Sequence, residues 1–500
     1  MSIIKRLGKN LQYSFYQRVT TTLAYLLVTP FILSRVDSEL YGLNALLLSI
    51  VGYFRLMDFG LSSGVSRFTA KFIGENREKE LNELINIGVK VFFFIGLVAA
   101  IVLFGLSFFY ENIFDISRGL VKEGRTLFYI YAFASFFIIL SAPFKGVLRG
   151  GQRQDVVSKV DIVIDLGKIV LAILILVYFK SYLLYVFSLQ LFSVLLMAFI
   201  IYQVHKLFLY KPKFSGFSKD VYREVVGFSG LYFLLGLFGV VIYQVDNLVI
   251  GQFLGLKAIT IYSIAFILHT QISSLNSLIA SPLFFIFSTE FAKGYSDQLK
   301  GMITDSIRMH IGLMIPVLII TIINVDHFIL AWVGESFEAA ILPARILLSY
   351  FFFSITFNIL VDTVIGGLGK IKEAVVIAGL IAFANLVLSI IFVRFFGIVG
   401  VAIGTSLPYI IVGPYYIIRF CGHLSLKVSD FVRQTILPNL PHVSLSIVLA
   451  FFIHAKMENP NLIEVLSLFV ACYAVTMMFG YLLLNKDRKQ LIKRLIRSAI

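Results

Sequence analysis

The chain has 500 residues, of which 59% are hydrophobic and 14% charged, with a formal net charge of +15. Soluble proteins carry about 25% charged residues, so a water-facing surface of this size is excluded. The apolar residues fall in continuous blocks, several longer than the roughly 20 residues that cross a bilayer as a helix. Lipid admits only helices and closed barrels, and blocks without alternation select helices.

The basic stretch Met1 to Asn10 runs into an apolar segment that outlasts a signal-peptide core and has no small-residue cleavage site, so it reads as a retained first span. In chain order the predicted spans are 11–33, 40–66, 85–110, 125–148, 158–179, 182–204, 225–250, 258–287, 304–326, 340–366, 374–394, 398–419, 435–455 and 461–484. The expected fold is therefore an all-α integral membrane protein of about fourteen transmembrane helices. Lys and Arg gather in alternate connections, around 5–9, 71–79, 149–159, 206–223, 293–300, 370–372, 419–433 and 486–497. The opposite connections hold only Arg35, Arg118, Lys122, Arg125, Lys180, Lys257, Arg394 and Lys456. That asymmetry predicts cytoplasmic termini at both ends, an assignment that requires an even number of spans, as fourteen is. The positive charge is accounted for by loops facing anionic lipid, with no nucleic-acid partner. Residues 485–500 read as a basic amphipathic tail on the membrane surface.

Two pairs of turns repeat at an offset of about 220 residues. Phe31 to Tyr41 is similar to Leu248 to Tyr262, and Gly146 to Arg153 to Gly366 to Lys372. Six spans separate the copies, so both have one orientation, as in a parallel repeat. The expected organisation is a six-helix lobe over 1–206, a cytoplasmic linker over 207–224, a second six-helix lobe over 225–420, and two further helices over 421–484.

Charges inside predicted spans mark candidate functional positions, because insertion of each costs about 2.5–3.5 kcal/mol at the bilayer centre. Arg67, Lys90 and Lys145 lie near span ends and can extend to the interface. Arg18, Arg55 and Arg345 lie deeper, and Arg308 opens the ninth span with His310. Asp161, Asp165 and Lys168 follow each other at i, i+4 and i+7 on one face of the fifth span. That spacing fits either an intrahelical Asp165–Lys168 pair or a polar seam on a cavity. Asp246, between Gln244 and Asn247, has no basic neighbour in its own span; a coupling cation and an arginine from another helix both fit it. Asp58 and Asp362 sit near inner ends. Prolines at 30, 143, 282, 316, 343, 408 and 414 favour kinks. The cysteines, Cys421 in a predicted loop and Cys472 in a predicted helix, form neither a disulfide framework nor a CxxC site. His205, His310, His327, His423, His442 and His454 are scattered, so no metal cluster is expected. No P-loop, HExxH or nucleophile elbow is present, and no enzyme chemistry is expected.

The stretches Tyr41 to Ile50, Leu56 to Arg67 and Asn385 to Thr405 resemble the Wzx-type O-antigen repeat-unit flippases of the multidrug/oligosaccharidyl-lipid/polysaccharide (MOP) exporter superfamily. That resemblance implies two MATE-like six-helix lobes around a central cavity and an alternating-access motion. It also implies an undecaprenyl-diphosphate-linked oligosaccharide as substrate, flipped across the bacterial cytoplasmic membrane for surface polysaccharide synthesis. A polysaccharide polymerase and chain-length proteins are the implied partners. The residues fit an anionic cargo: Arg and Lys are the natural holders of a diphosphate, and the first span offers Arg18 rather than the acid expected for export of cations. Arg18, Arg55, Lys168, Arg308 and Arg345 are thus expected to form a cationic substrate site. Asp161, Asp165 and Asp246 are the candidates for H+ or Na+ coupling, with no other cofactor. A peptidoglycan lipid-precursor flippase, an organic-cation exporter and a non-transporting scaffold for polysaccharide assembly are the alternatives.

Overall fold

The computed structural model describes residues 3–54, 61–114, 116–208, 210–212, 219–292, 297–353 and 371–483. Among them every regular element is a helix. In the first half these are α1 (Ile3–Leu33), α2 (Ser38–Phe54), α3 (Leu61–Gly74), α4 (Glu78–Leu106), the short α5 (Tyr110–Ile113), α6 (Val121–Leu140), α7 (Ala142–Gly150), α8 (Gln154–Tyr178), α9 (Tyr182–Phe208) and α10 (Lys219–Phe253). There follow α11 (Leu256–Ala292), α12 (Asp297–Ile323), α13 (Val325–Val333), α14 (Ile341–Ser349), α15 (Ile371–His423), α16 (Val428–Thr435), α17 (Leu440–Lys456) and α18 (Leu462–Leu482). Ten helical stretches among the described residues are long and apolar enough to cross a membrane. The chain is a multi-pass, all-helical membrane protein.

The membrane explains the side-chain distribution. Phe94, Ile101, Val448, Phe452, Ile463, Val470 and Met478 are large, apolar and exposed. In water such a belt would drive aggregation; in a bilayer it faces acyl chains. Burial then has to come from packing between helices, where lipid gives no hydrophobic advantage and small residues allow close approach.

Two compact units divide the chain, Met1–Thr260 and Ile261–Ile500. In the first, α1 lies along α8, α4 along α6, α3 along α7, and α9 packs on both α6 and α8. The predicted seventh span, α10, packs on α2 and α3. In the second, α12 is central and touches α16, α17 and α18, while α14 packs on α15. Phe328 of α13 rests on Trp332 and on Phe469 of α18.

Several predicted spans have internal structure. The one expected over 40–66 consists of α2 and α3, on either side of residues 55–60, which lie outside the described residues together with Arg55 and Asp58. The one over 125–148 is α6 and α7, divided near Ser141, with Pro143 in the first turn of α7. Asp362 and most of the turn Gly366 to Lys372 also lie outside the described residues. Conversely, the spans over 374–394 and 398–419 form the two arms of α15, divided at Gly397 (φ 57°, ψ −137°). Only glycine adopts that backbone without strain. Beyond the bend the arms approach so closely that a Cβ on Gly400 would meet the Phe392 carbonyl, and one on Gly404 would sit 2.6 Å from the Ser389 amide. Asn385 Nδ2 donates to Thr405 Oγ1 at 2.9 Å between the arms. At the base, Glu373 accepts from Arg419 at 2.6 Å and contacts His423 at 2.8 Å. Cys421, expected in a loop, is buried in the last turn of this element because α15 runs on to His423.

Candidate functional site

The first unit concentrates side-chain polarity where α1 meets α8. On α1 the residues are Asn10, Gln17, Thr21 and Tyr25, which recur at helical spacing on one stripe. On α8 they are Asp155, Ser158, Asp161, Asp165 and Lys168. Asn10 Oδ1 accepts from the Asp155 backbone N–H at 3.0 Å. Gln17 Nε2 donates to Asp161 Oδ2 at 3.1 Å and Gln17 Oε1 accepts from Ser158 Oγ at 3.0 Å. Thr21 Oγ1 donates to Asp165 Oδ2 at 2.5 Å. Lys168 Nζ pairs with Asp165 Oδ1 at 2.8 Å and lies 5.4 Å from the Tyr25 ring centre. Gln17 and Thr21 each meet a partner 144 residues further on. Both helices therefore run in the same direction, in one register along their length.

A third helix contributes charge to the seam: Lys145 of α7 stands 3.9 Å from Asp161. Clefts open at both ends. One, of about 270 Å³, is lined by Lys9, Asn10, Gln152, Arg153 and Asp155, and the other, of about 400 Å³, by Arg35, Asp37, Lys180 and Tyr182. Asp155 lies outside the predicted span. Burial works to raise its carboxyl, but Arg153 at 3.0 Å and Lys9 at 3.5 Å outweigh that and hold it below its ordinary value. Arg18, one position beyond Gln17, is part-buried. Counting Lys9, Arg18, Lys145, Arg153, Lys159 and Lys168 against Asp155, Asp161 and Asp165, cations prevail along the seam. An anionic group can be met there by more than one cation, and each acid that is present already has a donor.

The residues singled out from the sequence are thus partly brought together. Asp161, Asp165 and Lys168 share the seam, and Arg18 lies on α1 beside Gln17. Asp165 and Lys168 form their intrahelical pair and also reach α1, so both readings of that spacing are realised. Asp246 is buried in α10; its neighbour Asn247 donates to Ser49 of α2 at 2.8 Å. Arg308, in the second unit, is part-buried on α12, and its carbonyl accepts from Asn439 at 2.9 Å. Arg345 of α14 pairs with Asp326 at 3.7 Å and donates to the Ile322 carbonyl at 3.3 Å. Ile322 lies about 21 Å along α12 from Arg308 at 1.5 Å per residue, so the two arginines do not share a site. His269 stacks on Phe351 at 4.7 Å and bonds the Tyr350 hydroxyl, which is a packing role.

Gln17, Thr21 and Asn10 escaped the sequence reading. Their signal was the recurrence of uncharged polar residues on one stripe of an otherwise apolar span. The expectation that the histidines are scattered is corrected. His327 and His454, far apart in sequence, meet beside Asp326 because α13 and the end of α17 converge, with all three ligand atoms within 4.8 Å of one another.

A family model described as MatE matches residues 15–174, which include the seam from Gln17 to Lys168. The chain is 23% identical over 490 residues to the uncharacterized membrane protein EpsK of Bacillus subtilis, with 94% of each chain covered. It is 25% identical over 374 residues to the uncharacterized membrane protein MJ1068 of Methanocaldococcus jannaschii, with 71% of each covered. Among solved structures, the lipid II flippase MurJ in an inward closed conformation superposes with a TM-score of 0.72 at 16% identity, covering 94% of this chain and 98% of that one. An inward-facing multidrug resistance MATE family transporter gives 0.64 at 14% identity, covering 85% and 99%. A MOP superfamily transporter from Pyrococcus furiosus with a binding pocket of reversed polarity gives 0.60 at 14%, covering 85% and 96%. The chain has the fold of the MOP superfamily transporters, and its N-terminal spans carry the MatE sequence pattern.

Proposed function

We propose that this protein is a flippase that carries an anionic, lipid-linked oligosaccharide across the cytoplasmic membrane by alternating access. The observation that carries this reading is one of coverage. The MATE transporter is matched over 99% of its length yet leaves 15% of this chain uncovered, whereas the MurJ superposition takes in 94%. The larger match favours a lipid-carrying relative over a drug exporter. The cationic balance of the α1–α8 seam supports the same cargo charge, since a diphosphate is best held by Arg and Lys. An undecaprenyl-diphosphate-linked repeat unit for surface polysaccharide fits these properties. A polymerase and chain-length proteins would be its partners, H+ or Na+ the coupling ion, and both termini cytoplasmic. Asp161, Asp165 and Asp246 are the proposed coupling acids, and Arg18 and Lys168, with Arg55, the proposed cargo residues; Arg308 and Arg345 stand apart from each other and fall outside that set.

The test is transport by protein reconstituted in vesicles with a fluorescent lipid-diphosphate oligosaccharide. Wild-type protein is expected to move it between leaflets, and Arg18→Ala and Lys168→Ala to slow that movement at least about tenfold. Wild-type rates in both variants at equal incorporation would remove these residues from the mechanism. The MurJ match also supports a second reading, flipping of the peptidoglycan lipid precursor. Complementation of strains lacking one flippase or the other separates the two cargoes.

A further inference from the structure

At the junction of α13 with the end of α17, the second unit turns three potential ligand atoms toward one point. His327 Nδ1 stands 3.4 Å from Asp326 Oδ1, and His454 Nδ1 stands 3.7 Å from the same oxygen. All three atoms are buried and none has a hydrogen-bond partner. The second ring nitrogen of His327, Nε2, lies 3.2 Å from the Met457 carbonyl. A carbonyl only accepts, so Nε2 carries the hydrogen, and in the neutral ring Nδ1 then presents its lone pair. That lone pair faces a carboxylate oxygen, and two acceptors at this distance repel unless a cation lies between them. The other carboxylate oxygen, Oδ2, is held by Arg345 at 3.7 Å.

We propose that Asp326 Oδ1, His327 Nδ1 and His454 Nδ1 form a binding site for a divalent transition-metal ion of the zinc class. Hydrogens on both Nδ1 atoms would also satisfy the contacts, but because the His327 Nε2 already carries one, that arrangement requires His327 as an imidazolium. A metal ion satisfies all three. Two imidazoles and one carboxylate are a zinc-type donor set, whereas magnesium and calcium prefer oxygen throughout. Tetrahedral ligands at zinc distances lie roughly 3.3 Å apart, close to two of the three separations. The surroundings are those of a metal site as well: a ligating histidine anchored through its far nitrogen to a backbone carbonyl, and a ligating carboxylate oriented by a second donor. The ion would join α13 to α17 and so tie the C-terminal helix pair to α12 and α13.

Untagged full-length protein in detergent, stripped with chelator, is titrated with Co2+ at neutral pH. Wild type is expected to bind one equivalent with a tetrahedral visible spectrum, to lose it on addition of Zn2+, and to gain thermal stability with Zn2+. His327→Ala, His454→Gln and Asp326→Asn lose the spectrum and the stabilisation. Arg345→Met keeps a spectrum with affinity roughly ten- to a hundredfold weaker. The control His205→Ala, in the other unit, binds like wild type. The metal-free melting temperature of His454→Gln separates loss of the site from loss of the fold. Absence of stoichiometric Co2+ binding by wild type, or its persistence in both histidine variants, overturns the proposal.

Discussion

Asp165 is almost fully buried and depends on two donors, Thr21 and Lys168. Removing one partner of a wholly buried ion pair costs about 3–5 kcal/mol, because the other charge is left without compensation. Lys168 keeps 27% of its side chain accessible, so Lys168→Met is expected to cost less, about 2–3 kcal/mol once solvent screening is allowed for. Thermal unfolding in detergent measures it. Lys168→Met combined with Asp165→Leu is expected to recover most of the loss, since no charge then remains unmatched. The sequence announced this acid–base group because three charges at helical spacing are conspicuous in an apolar span. It did not announce Gln17 and Thr21, because a single amide or hydroxyl per turn is compatible with a lipid-facing, a cavity-facing or a packed position. Arg345 was legible as an intramembrane charge, but its acid partner stands on α13, and only the tertiary fold brings Asp326 to it.

The α15 hairpin shows what a helical element needs in lipid. Gly400→Ala places a methyl group against the backbone of Phe392, and overpacking of this kind costs about 1–3 kcal/mol. Hydrogen exchange across 371–423 is expected to rise in the variant while exchange in α1 and α8 is unchanged. The base of the hairpin has its own pH dependence. The hydrogen bond from Arg419 holds Glu373 below its ordinary value, with His423 acting in the same direction against burial. A lowered folded value means that the stabilisation is complete above the ordinary glutamate pKa of about 4.3 and is lost as the pH falls through the lowered one. Exchange at the hairpin ends should therefore accelerate below about pH 4, and Glu373→Gln should exchange fast at every pH. The division into two arms was readable, since Gly397 interrupts an apolar run too long for one crossing. The break in the 125–148 span was readable only through Pro143, because hydropathy registers the length of an apolar block and not an interruption within it.

For the molecule as a whole, the loop charges predict that Lys79 and Lys122 face opposite sides of the membrane. With Cys421 and Cys472 replaced by serine, an impermeant maleimide applied to intact cells should label Lys122→Cys and spare Lys79→Cys. Labelling of both, or of Lys79→Cys alone, would reverse the assigned orientation. The membrane class and approximate number of crossings were legible because composition and block length determine them directly. The arrangement of α1 beside α8 was not, since that pairing lies well over a hundred residues away along the chain. That separation also has a consequence in time. Ribosomes add about 5–20 residues per second, so α1 enters the bilayer roughly 7–30 s before Asp161 and Asp165 emerge to meet Gln17 and Thr21. During that interval the polar stripe of α1 has no protein partner in lipid. Biogenesis therefore needs a temporary host for the first helix, either the insertion machinery or a chaperone, until the eighth arrives.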